Sequence, residues 1–248
     1  ACHGHIEAVG AVSFAKRSPW LLTGSKDKTT KLWDIAGVPH APTPNPTATP
    51  EPQQKKRKKD KDADKPAIAT GKDGLIRPST RSTTIGHTKE INGLAIAPND
   101  KVAASASQDR TVHLWSLEGG ALKDIGVLKG HKRAVWCVNF PPVEKLVASG
   151  SGDMLIKIWS IEDLTCMRTL EGHLSSVLRL HWVANGFQLL SSGSDGLIKL
   201  WSAKSGECTC TLDAHEDKIW ALDVCETAAS SSSTAAKPAV EDDDEAAE

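Results

Sequence analysis

Ser149, His131 and Asp153 are the residue types of a nucleophilic triad, in which a hydroxyl attacks, an imidazole takes its proton and a carboxylate orients the imidazole. Their spacing argues against that chemistry. The same types recur as Thr23, His5 and Asp27, as Ser105, His87 and Asp109, and as Ser191, His173 and Asp195. In every set the hydroxyl lies 18 residues and the Asp 22 residues after the His, and a Trp follows at 28: Trp33, Trp115, Trp159 and Trp201. An active site need occur only once, so a set written four times reads as structure. Cys208-Thr209-Cys210 with His215 is not a usual zinc spacing. Gly119-Gly120 reads as a turn, not a phosphate-binding loop. These residues therefore predict no enzyme, no metal site and no cofactor.

The elements that must hold these residues follow from the same repeat. Gly-His occurs at Gly4-His5, Gly86-His87, Gly130-His131 and Gly172-His173, with Ala214-His215 as an altered fifth copy. The His-to-His intervals are 82, 44, 42 and 42 residues, the first being one period plus an insertion. Offsets 4, 7 and 9 from each His are apolar in every copy, from Val9, Val12 and Phe14 to Ile219, Leu222 and Val224. Further short runs, such as Leu189-Leu190 and Ile198-Lys199-Leu200-Trp201, supply the other strands, and Asp with Gly or Ser neighbours marks tight turns. No segment holds a 3.6-residue period, so the chain is expected to be all-β. Periods of ~40–45 residues with these landmarks predict a β-propeller of four-stranded blades. Four blades are complete, and a fifth is represented by its inner strand.

Composition divides the 248 residues further. Residues 38–80 hold eight of the 13 prolines and nine Lys/Arg against five Asp/Glu, including Lys55, Lys56, Arg57, Lys58 and Lys59. Residues 226–248 carry seven acids against one Lys. The first has too few large apolar side chains to offset the entropy of ordering and is expected to be disordered, the second reads as an acidic low-complexity tail, and neither belongs to a packed core. The expected organisation is therefore blade 1 through its third strand in 1–37, a Pro/Lys-rich insertion in 38–80, the remaining propeller in 81–225, and an acidic tail in 226–248. Six Cys without paired spacing fit a reducing compartment. No apolar run approaches the ~18 residues of a membrane span, and a net charge of −1 removes the simplest case for bulk nucleic-acid binding. The chain opens at Ala1-Cys2-His3 near a repeat start, and it reads as a piece of a longer protein.

The Gly-His, Asp and Trp landmarks resemble WD40 repeats, although only Trp33-Asp34 has the literal dipeptide. The resemblance implies that the His, hydroxyl, Trp and Asp of each unit form a hydrogen-bond network pinning the strands. The segments from Gly86 to Asp100, from Leu189 to Trp201 and from Ala214 to Leu222 are more narrowly similar to the WD-repeat subunits associated with the U3 small nucleolar ribonucleoprotein. That similarity implies a nucleolar scaffold in the small-subunit processome, acting in pre-ribosomal RNA processing. Its partners would be other WD-repeat proteins of a ribonucleoprotein complex, with RNA contact weak or indirect, no membrane and no small-molecule substrate. Members of that family carry two tandem propellers and a C-terminal helical domain, whereas here an acidic tail stands where that domain would begin.

The resemblance also places partner contacts. Residues 3, 5 and 21 positions after the Gly-His histidine tend to line the top face of such propellers. Here these positions include Lys26, Glu90, Asn92, Gln108, Trp136, Leu178, Lys218 and Trp220. Trp136 and Trp220 have the character of interface anchors, or equally of side chains that pack against a neighbouring loop. Lys55 to Lys59 would serve nuclear import or meet RNA phosphates. A cullin-type ubiquitin-ligase adaptor is the first alternative. Such adaptors often carry Arg two residues after the Trp-Asp pair, where this chain has Ala36, Glu118, Glu162 and Lys204. A G-protein-beta-like signalling scaffold and an enzyme using the propeller centre are the others.

Overall fold

The computed structural model describes residues 4–36, 78–142, 145–213 and 215–224. Lys55 to Lys59 and the acidic tail lie outside the described residues. Alternating apolar residues with β-branched or aromatic neighbours fold into four antiparallel sheets of four strands, each in sequential order. Blade 1 comprises β1 (Val9–Phe14), β2 (Trp20–Ser25), β3 (Thr29–Asp34) and β4 (Ser79–Ile85). Blade 2 comprises β5 (Ile91–Ile96), β6 (Val102–Ser107), β7 (Thr111–Ser116) and β8 (Lys123–Lys129). Blade 3 comprises β9 (Val135–Asn139), β10 (Leu146–Ser151), β11 (Ile156–Ser160) and β12 (Cys166–Leu170). Blade 4 comprises β13 (Val177–Val183), β14 (Gln188–Gly193), β15 (Leu197–Ser202) and β16 (Cys208–Asp213). The sheets are the blades of a WD40-type propeller. β4 starts at Ser79, two residues ahead of the boundary composition suggests.

The inner strands β1, β5, β9 and β13 pack in succession. They approach so closely that a Cβ on Gly10 would sit 2.6 Å from the Ile91 carbonyl oxygen, and one on Gly93 2.8 Å from that of Trp136. The core lies between blades. Leu22 and Leu32 of blade 1 share a cluster with Ala103 and Trp115 of blade 2. Leu114 and Leu128 of blade 2 meet Val138 and Phe140 of blade 3, and Ile156 and Ile158 of blade 3 meet Leu180 and Trp182 of blade 4. In each case offsets 7 and 9 of one inner strand insert into the face of the preceding blade.

The fifth copy differs from the expected inner strand. Residues 215–224 form no ladder, because a strand needs a neighbour and none follows among the described residues. Ile219 still docks on blade 4: its N–H donates to the Gly193 carbonyl at 3.1 Å, and its own carbonyl accepts from Ser192 Oγ at 3.4 Å.

Candidate functional site

The hydroxyl, His, Asp and Trp of each repeat come together. Ser149 Oγ on β10 accepts the Trp159 indole N–H at 2.8 Å and lies 2.8 Å from His131 Nε2, while His131 Nδ1 lies 3.0 Å from Asp153 Oδ2. Blade 4 repeats this with Trp201 to Ser191 at 2.7 Å, His173 to Ser191 at 2.7 Å and His173 to Asp195 at 2.8 Å. Blade 2 has Trp115 to Ser105 at 2.9 Å, His87 to Ser105 at 2.8 Å and His87 to Asp109 at 2.9 Å. In blade 1, Trp33 meets Thr23 at 2.8 Å, His5 meets Thr23 at 2.7 Å, and His5 meets Asp27 at 2.9 Å. The Asp side chain also receives backbone N–H groups: that of Asp153 accepts from Lys132 and Leu155, and that of Asp195 from Leu174 and Leu197. The loop before the inner strand, the second strand, the turn that follows it and the third strand are thereby joined.

Each carboxylate is held ionised. Burial opposes its charge, but the donors around it win. Asp153 is brought down to about 2, and Asp27, Asp109 and Asp195 also lie below the usual carboxylate range. Burial in turn pushes His173 down, against the pull of Asp195. An imidazole that donates Nδ1–H to the carboxylate and accepts the hydroxyl proton at Nε2 accounts for both contacts of His131, while His87 Nε2 also lies 3.2 Å from the Ser105 carbonyl oxygen.

This is the hydrogen-bond order of a catalytic triad. Access separates the two cases. Ser105, Ser149 and Ser191 are 0% exposed, beneath Trp rings that are themselves buried, so no substrate carbonyl can reach Oγ. Two single-copy amides at the centre are also engaged. Asn92 Nδ2 donates to the Val135 carbonyl and Asn139 Nδ2 to the Leu180 carbonyl, both at 3.0 Å, tying adjacent blades. Burial pushes the Cys137 thiol up to about 12, far from a nucleophile. Among the described residues there is no cluster of three or more metal-ligating side chains.

The opening at the top centre is built differently. Where the ladder pairs Gly150 with Cys137 and Ser151 with Val135, Trp136 is left as a bulge. Gly10, Asn92 and Leu178 are skipped in the same way on β1, β5 and β13. A bulge re-aims the extra residue, and each inner strand spends it on the rim. With Trp220 of the fifth copy, these residues line a cleft of about 180 Å3 that also includes Lys26, Glu90 and Arg179. Beneath it, a channel of about 320 Å3 runs between the four inner strands.

The expected rim residues do not all present themselves. Trp220 is 59% exposed and Trp136 half-buried, whereas Leu178 is only 2% exposed. Leu178 borders the cleft but is corrected to a buried position, with too little accessible surface to contact a partner. Lys26 and Glu90 pair with each other at 3.6 Å. Gln108 and Lys218 are exposed. Two residues that matter were not among the expected ones. Arg179 follows the bulge on β13 and enters both cleft and channel. Asp100 is buried and accepts backbone N–H groups from Lys16, Arg17 and Ser18 at 2.9, 2.7 and 2.7 Å. Only its place in the turn Pro98-Asn99-Asp100 signalled it, at a φ of 57° that Asp tolerates better than most residues.

Fold and repeated network define a propeller of WD repeats. The family model described as WD domain, G-beta repeat, matches residues 1–34, 79–116, 122–160 and 164–202, more than half of the chain, and the chain belongs to that family. Among individual proteins, it is 41% identical over 136 residues to human (Homo sapiens) transducin beta-like protein 3, covering 54% of this chain and 14% of that protein. It is 40% identical over 141 residues to the U3 small nucleolar RNA-associated protein 13 of Saccharomyces cerevisiae, covering 55% and 13%. A probable cytosolic iron-sulfur protein assembly protein 1 from Neurospora crassa is 35% identical over 136 residues, covering 54% and 28%. The match to the first two thus spans about a seventh of their length.

Proposed function

We propose that this chain is a non-catalytic scaffold of the small-subunit processome, holding other WD-repeat subunits together during pre-ribosomal RNA processing in the nucleolus. The observation that carries this reading is the 40% identity to a protein named for its association with U3 small nucleolar RNA. Two structural features support a scaffold. The repeated hydroxyl, His and Asp are sealed inside the blades, and the centre offers a rim with two Trp instead of a closed substrate pocket. The partner-contact face is the rim, with Lys26, Glu90, Asn92, Gln108, Trp136, Lys218 and Trp220 as contact residues. Lys55 to Lys59 serve nuclear import.

Affinity capture of the tagged chain from nuclear extract tests the proposal. U3 small nucleolar RNA and WD-repeat proteins are expected in the wild-type eluate, and Trp136→Ala with Trp220→Ala is expected to deplete them at least about tenfold, since central aromatic anchors dominate interfaces. Recovery of neither from the wild type, or unchanged recovery with the double variant, overturns the scaffold or its rim respectively. Replacing Lys55 to Lys59 with Ala in a fluorescent fusion is expected to abolish nuclear accumulation.

A further inference from the structure

We infer that the top mouth of the channel is a receptor for an acidic side chain, a Glu or Asp on an exposed loop of a partner protein, with Arg179 as the pairing cation and Trp136 and Trp220 as its apolar walls. The inference rests on the rim being the partner-contact face, and adds the chemistry of what enters it.

Arg179 stands immediately after the bulged Leu178. It borders both the 180 Å3 cleft and the 320 Å3 channel, at the point where the two join. Its Nη1 donates to the Leu178 carbonyl at 2.9 Å, which anchors the side chain. A guanidinium has five N–H donors, and no ion pair of Arg179 occurs among the described residues. The other cation of the cleft, Lys26, is already paired with Glu90. The cleft therefore holds one cation unmatched by an anion, in the form that binds a carboxylate through two parallel hydrogen bonds.

The surroundings favour one carboxylate over a nucleic-acid strand. A strand is held by several cations spaced along phosphates, whereas in this cleft Arg179 is the one cation without an ion pair and Glu90 would repel a second phosphate. Trp220 and Trp136 border the same cleft, with buried Leu178 beside them. Arg179 is exposed at this mouth; once a partner side chain fills the cleft, the indole walls reduce water's access to the charge pair and accept the aliphatic stem of a Glu or a neighbouring apolar residue.

The test uses the full 248-residue chain, immobilised at low density on a sensor surface. The probes are an acetylated and amidated peptide of alternating Leu and Glu, its Leu-Gln counterpart, the Leu-Gln peptide with a free C-terminal carboxylate, and an oligouridine. The Leu-Glu peptide is expected to bind at least about tenfold tighter than Leu-Gln. Arg179→Gln is expected to abolish that preference without shifting the melting temperature, and Trp220→Ala to weaken both peptides alike. The idea falls if the wild type binds no peptide, if Glu and Gln peptides bind equally, or if Arg179→Gln keeps the preference. It also falls if the free C-terminus or the oligouridine is bound more tightly than Leu-Glu and is the ligand lost in Arg179→Gln, which reassigns the site to chain ends or RNA. Nuclear-extract capture separates the two proposals. Arg179→Gln with unchanged partner recovery sinks the receptor alone, whereas a wild type that recovers no WD-repeat protein and no U3 RNA sinks the scaffold.

Discussion

At the scale of single residues, a buried hydroxyl that accepts an indole N–H and faces an imidazole nitrogen has used its hydrogen-bonding capacity within the blade. Removing it by Ser149→Ala orphans Trp159 Nε1 and His131 Nε2 together. Each buried unsatisfied group costs about 1–3 kcal/mol, so a loss of roughly 2–5 kcal/mol is expected in denaturant titration. Ser149→Thr should recover most of it, because Thr23 fills the same role in blade 1. An unchanged midpoint for Ser149→Ala would contradict the network's role. The place where blade 2 departs from its neighbours is equally specific. Lys31, Lys157 and Lys199 donate Nζ to Thr83, Thr169 and Thr211 across the outer pair of strands. In blade 2 the pair is His113 opposite Val127, so no hydroxyl is offered, and His113 Nδ1 is buried without a partner. Burial, reinforced by His87, brings His113 down to about 4. The sign follows: His113 is neutral when folded, while the unfolded chain takes up its proton near 6.5. Its contribution to stability is full above about 6.5 and is lost as pH falls towards 4. The Asp carboxylates act lower, present above about 4 and lost as pH falls through the folded value, about 2 for Asp153. His113→Lys with Val127→Thr should shrink the fall in melting temperature between pH 6.5 and 4, leaving the share that His173 contributes and the steeper loss below 4; an upper step of unchanged size would refute the assignment.

At the scale of elements, the inner strands show both how far the sequence could be read and where reading stopped. Offsets 4, 7 and 9 identify the apolar face of every inner strand, and Trp, Asp and hydroxyl offsets identify the network, because those positions obey local period and fixed turn lengths. The step of three between offsets 4 and 7 breaks a strict alternation of two. That break is the bulge at offset 5, so the rim was encoded in plain sight, in the spacing of the residues around it. Leu178 shows the limit: its offset assigns it to the rim, but its burial depends on surrounding side chains that local spacing does not specify. Asp100 lies beyond any such pattern, since its partners are 82 to 84 residues earlier and belong to another blade. Its carboxylate, buried but held ionised by three backbone N–H groups, latches the β1–β2 loop of blade 1 to the β5–β6 turn of blade 2. Asp100→Gly keeps the left-handed backbone easy and removes only the latch. The expected cost is about 2–4 kcal/mol, from the range for hydrogen bonds to charged groups less relaxation. Amide hydrogen exchange at Lys16, Arg17 and Ser18 should accelerate at least about tenfold, with amides of blade 4 unaffected. Uniform acceleration would mean global destabilisation instead of an unlatched loop.

At the scale of the whole molecule, three interfaces show what an inner strand's outward apolar residues are for, and among the described residues one blade has them without a cover. Val138 and Phe140, like Leu180 and Trp182, are buried against the blade before them. Their counterparts in blade 1 are Val12 at 52% and Phe14 at 63% exposure, with Val9 and Ile6 also exposed. An apolar face of this kind, on a strand β1 paired on one side only, favours association. The blade-4 face is covered in part by Ile219, which docks without a ladder of its own. The 248-residue chain by itself should therefore sediment as concentration-dependent oligomers, driven mainly from blade 1. Val12→Lys with Phe14→Lys places two like charges on that face, and should shift the chain to monomer. The hydrogen-bond networks of blades 2 to 4 do not involve either residue, so their unfolding transition should stay in place. Sedimentation velocity on both chains decides the matter: a wild type that remains monomeric across a hundredfold concentration range would show that the exposed face of blade 1 does not drive association.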